Sequence, residues 1–135
     1  MAPTTPETPH VGAIAEATRV LDDYLAAFNR LDPAALDLTC HFPHFRLLGD
    51  QLTTEAQAGI QTVETMRALL GPDWHHTAWD ERRVVQAAAD KVHVAARFTR
   101  YRRDGSSIGT FESLYVITRE RGRWGVKLRS SFAPR

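Results

Sequence analysis

The side chains best suited to acid-base or donor chemistry in this 135-residue chain are six histidines, a tyrosine inside an apolar segment and a carboxylate inside an aromatic one. His41 and His44 flank Phe42-Pro43 in HFPH, and His75 and His76 are adjacent in WHHT. Imidazole titrates near neutrality, so either pair could supply a general acid, a general base or a metal ligand. Two intervening residues, one of them proline, are not a recurrent ligand spacing, and no Cys or acidic group completes a shell nearby, so no metal is expected. His44 stands as the candidate base. Tyr24, in YLAAF, has a hydroxyl that must find a partner if buried. Aimed into a pocket it would stabilise developing negative charge; otherwise it is a core tyrosine bonded to a strand hydroxyl or to backbone. Glu81, in WDERR, is the carboxylate candidate: burial would raise its pKa and make it a usable base, while Arg83 would oppose that by favouring the charged form.

These groups need a scaffold, and residues 91–132 carry its pattern. KVHVAARFTRYRRDGSSIGTFESLYVITRERGRWGVKLRSSF reads as three antiparallel strands divided at Asp104-Gly105 and, more weakly, at Arg121-Gly122, residue types that tolerate the positive φ of a tight hairpin. With two-residue turns at both places, counting sets Phe98 opposite Phe111, Ala96 opposite Ser113 and Val94 opposite Tyr115. It then sets Tyr115 opposite Leu128 and Phe111 opposite Phe132. One face thereby collects Val94, Phe98, Ser113, Tyr115, Leu128, Ser130 and Phe132, apolar with three hydroxyls. The other collects Arg97, Glu112, Leu114, Val116, Lys127, Arg129 and Ser131, with Arg97 and Glu112 as a cross-strand ion pair. A preceding strand over 75–88 puts His75, Thr77, Trp79, Glu81 and Arg83 on the inner side unless a bulge intervenes. Trp74 and Trp79 are expected in the core or pocket wall. Arg100, Arg102 and Arg103, beside a turn, are expected to be solvated.

Upstream, Ile14, Ala17, Val20 or Leu21, Tyr24, Leu25 and Phe28 return at three- and four-residue spacing, which predicts a helix over about 11–30. Asp32-Pro33 starts a short second helix to about 39. A small hairpin follows over 42–48 and 51–53, turning at Gly49-Asp50. A third helix is predicted over about 55–70, with Ile60, Val63, Met66, Leu69 and Leu70 on one side and Gly71-Pro72 as its stop. Residues 1–9 hold three prolines and three threonines without periodicity and read as a disordered tail, leaving 10–135 as one domain. The plan is α+β, three N-terminal helices packed on a curved, antiparallel or mixed sheet.

Composition narrows the function classes. Seventeen basic and sixteen acidic residues give a net charge of +1, too little field to recruit nucleic acid or an anionic membrane. No apolar run approaches a membrane span and no leader pattern opens the chain, so a cytoplasmic location is expected. The single cysteine, Cys40, forbids an internal disulfide and reads as a small core residue. Phosphate-cradling glycine loops, a nucleophile elbow and CxxC are missing from the sequence, and no cofactor is expected.

The order of elements, together with LDDYLAAFNRLDPAALDL, resembles the nuclear transport factor 2-like superfamily, which includes ketosteroid isomerases, SnoaL-like polyketide cyclases and limonene-epoxide hydrolases. HFPHFR, WHHTAWDERR and WGVKLRSSFA look like a bacterial branch of it. The resemblance implies a cone-shaped fold enclosing a pocket for a small hydrophobic molecule, and a homodimer that meets through the convex sheet face. Such a scaffold hosts many activities and many non-enzymes. In the isomerases a tyrosine and a neutral carboxylic acid donate to an enolate while a second carboxylate acts as base. Tyr24 matches the tyrosine; the acid position falls on Ser113, and the base position falls near Leu47 or Leu48, neither of which moves a proton. The resemblance therefore implies either a cofactor-independent isomerase, cyclase, dehydratase or epoxide hydrolase that uses Tyr24 with His44 or Glu81, or a non-catalytic ligand-binding or dimerisation module. Its pocket would be lined by Trp74, His75, Trp79, Phe98, Ser113, Tyr115, Leu128, Ser130 and Phe132.

Overall fold

The computed structural model describes residues 10–133, so the tail expected over 1–9 lies outside the described residues. In chain order the elements are α1 (Val11–Asn29), α2 (Pro33–Leu38), β1 (Cys40–Leu48), β2 (Gln51–Glu55), α3 (Val63–Leu70), β3 (His76–Ala87), β4 (Lys91–Tyr101), β5 (Ser107–Glu120) and β6 (Arg123–Ser131). One six-stranded sheet runs β2-β1-β6-β5-β4-β3. β1 lies parallel to β6 and every other pairing is antiparallel, so the sheet is mixed. Two helices precede the sheet; α3 is set between β2 and β3 rather than at the N-terminus.

α1 buries Ala17, Val20, Leu21, Tyr24, Ala27 and Phe28, the stripe its spacing predicts. These residues pack with Met66 and Leu70 of α3 and with Val92, Val94, Ala96, Tyr115, Ile117 and Val126 of the inner sheet face. Asn29, at the end of α1, clamps the helix to β3: its Nδ2 donates to the Thr77 carbonyl and its Oδ1 accepts from the Thr77 amide, both at 2.9 Å. Asp32 caps α2 by accepting from the Ala35 amide at 3.1 Å. α3 starts later than its apolar spacing suggests, at Val63 behind a Thr62/Thr65 capping box. Glu55, expected to open that helix, instead ends β2 and is buried.

The hairpins divide into one that keeps its expected register and one that loses it. At Asp104-Gly105 the loop is one residue longer than expected, because the Arg102 amide donates to the Ser106 carbonyl at 2.9 Å and the Gly105 amide to the Arg102 carbonyl at 3.0 Å. A bulge between Arg100 and Tyr101 absorbs the difference, and Phe98 faces Phe111, Ala96 faces Ser113 and Val94 faces Tyr115 as counted. At Arg121-Gly122 both residues take positive φ, 54° and 75°, and Glu120 pairs with Arg123, the two-residue turn expected. Further in, Ile117 pairs with Val126 but Val116 pairs with Leu128, leaving Lys127 as an extra residue. Tyr115 therefore faces Arg129, not Leu128, and Ser113 faces Ser131.

That bulge corrects the face assignment of β6. Arg129 and Ser131 are buried, whereas Phe132 is exposed and Leu128 and Ser130 are only half-buried. A second correction comes from β3, where a bulge between Trp79 and Glu81 sets Trp79 opposite Phe98 but Glu81 opposite Arg97. Glu81 thus leaves the inner face, exposed and ion-paired with Arg97 at 3.1 Å, the place expected for Glu112.

Candidate ligand pocket

A crevice between α1 and the inner sheet face is lined by Tyr24, Leu25, Phe28, Leu70, Thr77, Trp79, Phe98, Arg100, Tyr115 and Arg129. Its unfilled space totals about 330 Å³ counting the solvent-open part. Aromatic rings shape most of it: Trp79 meets Tyr115 edge-on at 5.8 Å and Phe98 at 6.2 Å, and Tyr24 meets Tyr115 at 5.7 Å. Thr77 accepts from Trp74 Nε1 at 2.9 Å, so Trp74 braces the wall from behind.

The polar side of the crevice is made of two guanidiniums and hydroxyls, with no carboxylate in the lining. Arg129 Nη1 donates to the Tyr24 hydroxyl at 3.0 Å, and the Tyr115 hydroxyl lies beside the same guanidinium. Burial pushes both phenols above their ordinary range, more than Arg129 pulls them down, so both stay protonated. Arg100, two residues beyond Phe98 on β4, places its guanidinium over the rings of Phe98 and Phe111 at 5.8 and 5.2 Å. Burial lowers the Arg100 pKa, and the charge of Arg129 lowers it further. Trp79 Nε1, Arg100 Nε and Arg129 Nε are buried without a hydrogen-bond partner among the described residues.

Behind Tyr24 and Phe28 a second crevice is lined in part by Cys40, Phe42, His44, Arg46, Glu55 and Gln61. Here the charges match: Arg46 is ion-paired with Glu55, which also accepts from Gln61 Nε2 at 2.9 Å. His44 is buried and held through Nδ1, which donates to the Val126 carbonyl at 3.1 Å. Burial, abetted by Arg46 and Arg129, lowers its pKa to about 4, so the ring is neutral near pH 7. Burial likewise pushes the Cys40 thiol up to about 11 and keeps it from acting as a thiolate.

The structure thus brings four of the sequence-derived candidates, Tyr24, Trp79, Phe98 and Tyr115, into one crevice, with Trp74 bracing it. Ser113 is buried but outside that lining, and donates to Ser131 Oγ at 3.1 Å. His44 belongs to the neighbouring crevice. Glu81, Leu128, Ser130 and Phe132 lie on the other face for the reasons given above, and His75 is exposed with its ring against His76. Two lining residues escape the sequence reading. Arg100 carries a usable signal, since it keeps parity with Phe98, but the arginine run beside the turn reads as solvated. Arg129 carries none, because counting without the bulge sends it outward. Among the described residues no group of three or more His, Cys, Asp or Glu is placed to hold a metal ion, and no helix is long and apolar enough to cross a membrane.

Solved structures with the same fold share little sequence with this chain. A protein with a cystatin-like fold from Nostoc punctiforme superposes with a TM-score of 0.74 at 11% identity, covering 92% of both chains. A ketosteroid isomerase-like protein from Erwinia carotovora atroseptica gives 0.65 at 21% identity, covering 92% of this chain and 99% of the other. The association domain of C. elegans CaMKII gives 0.67 at 16% identity, covering 92% and 98%. Among curated proteins none matches. Residues 15–129 match the family model described as NTF2-like protein (DUF6841), and the chain belongs to that family.

Proposed function

We propose that this chain binds a small, mainly apolar molecule between α1 and the inner face of the sheet, with the Tyr24 hydroxyl donating to an acceptor on it. The observation that carries this reading is the 3.0 Å bond from Arg129 to Tyr24. A guanidinium has donors only, so the phenol oxygen must accept from it and the phenol's own hydrogen is left for a guest. The aromatic walls supply the apolar contact such a guest needs. Isomerisation, cyclisation, dehydration or epoxide opening would need a proton-moving group beside Tyr24. Glu81 is on the other face and His44 is tied to Val126 in the adjoining crevice, so the geometry supports binding without turnover ahead of catalysis. A second copy of the chain is the proposed partner on the outer face, where Leu114 and the exposed Phe132 gather; the fold shared with an association domain supports this.

Native purification followed by extraction and mass spectrometry tests the reading, since a guest should co-purify and return unaltered after re-addition. Tyr24→Phe should weaken it about tenfold while leaving the Tm within a few degrees. Unchanged affinity removes Tyr24 from the site, and chemical conversion of the guest replaces binding with catalysis.

A further inference from the structure

We infer that the guest of this pocket carries a carboxylate, held by Arg100 and Arg129, with an apolar body against Trp79, Phe98 and Phe28. The inference rests on the crevice being a binding site and specifies what it binds.

Charge balance carries it. Arg100 and Arg129 are 8% and 6% exposed, they come from β4 and β6, and both line the one crevice. Among the described residues, Glu55 is the one buried carboxylate, and it is engaged by Arg46. Neither Arg100 nor Arg129 has an ion-pair partner among them, so these two buried guanidiniums face no carboxylate, the buried Glu55 being taken by the half-buried Arg46. A buried charge left unmatched is costly, and the stacking of Arg100 over two phenylalanines offsets only part of it. A guest carboxylate lying between them offsets part of that cost when it binds.

The lining also selects among acceptors. Two guanidiniums and the Tyr24 hydroxyl offer donors to the crevice, beside the hydroxyls of Thr77 and Tyr115 and with no carboxylate in the lining. A neutral carbonyl would engage one or two of these donors and leave both charges unmatched, whereas a carboxylate accepts through two oxygens and suits the planar guanidinium fork. The aromatic walls of the same lining call for an apolar body.

The full-length chain can be titrated with benzoate, hexanoate, benzamide and inorganic phosphate, read by Tm shift and calorimetry. Benzoate or hexanoate should raise the Tm with dose, and benzamide should bind at least about tenfold more weakly. Arg100→Met should lose the carboxylate response while its own Tm, without ligand, holds or rises, because an unmatched buried charge has been removed. Arg129→Met, judged by the same responses, serves if the first variant fails to fold. Equal binding of benzoate and benzamide overturns the carboxylate and leaves the pocket standing as a binding site. Phosphate binding as tightly as benzoate overturns the apolar body. Undiminished carboxylate binding in both arginine variants overturns the assignment of these residues. Silence from every carboxylate overturns the inference, while recovery of a co-purified neutral guest would still uphold the pocket.

Discussion

Arg46 on β1 and Arg129 on β6 are direct partners in the parallel ladder, yet the two guanidiniums meet different surroundings. Arg46 finds Glu55, itself steadied by Gln61, so its charge is neutralised within the chain. Arg129 finds two phenols and the neighbourhood of Arg100, which supply hydrogen-bond partners or shape but no negative charge. The fold therefore closes one side of Tyr24 electrostatically and leaves the other side open. Two arginines paired across neighbouring strands thus differ in whether a carboxylate of the chain lies within reach.

Making the matched side resemble the unmatched one should give the largest effect. Glu55→Ala strands Arg46 in the interior and should cost about 3–5 kcal/mol in urea denaturation, with Arg46→Met in the same chain recovering much of it. A loss below about 1 kcal/mol would mean that the pair is not what sets this side apart. The next effect is a pH dependence confined to the same side. His44 has a folded pKa of about 4 against an ordinary 6.5, so below 6.5 the unfolded chain takes up a proton that the folded chain refuses. Its contribution is whole above pH 6.5 and is lost as pH falls toward 4, by about 3 kcal/mol in all. His44→Gln should flatten that part of the stability curve measured between pH 7 and 4, and an unchanged slope would locate the titration elsewhere. The smallest effect is on the outer face. Glu81→Gln breaks an exposed pair with Arg97 and should change stability by less than about 1 kcal/mol without altering carboxylate affinity. Weakened binding would return Glu81 to the pocket.

Much of this architecture is written in local pattern. The α1 stripe, the Asp32 cap, the Gly71 stop and the Arg121-Gly122 turn follow from residue spacing and from backbone preferences that act over a few residues. Tyr24 is legible for the same reason, since its place on the stripe turns it inward. The β4–β5 register is also reached by counting, though only because a longer turn and a bulge cancel. What is not legible is set at longer range. Nothing in KLRSSF announces that Lys127 is skipped by the ladder, and the charge of the pocket depends on it. The late start of α3 is similar: Glu55 belongs to β2 because Arg46 and Gln61 receive it there, a tertiary reason that helical spacing does not contain.

In a strand, odd and even positions look to opposite sides, and the ladder's skip of Lys127 sends Arg129 and Ser131 inward while Leu128 and Ser130 turn outward. The skip absorbs the extra residue, so a chain lacking Lys127 would close into a regular strand with Leu128 still opposite Val116 and Arg129 still opposite Tyr115. The faces of β6 therefore tolerate loss of that residue, whereas straightening the strand with Lys127 in place would exchange them.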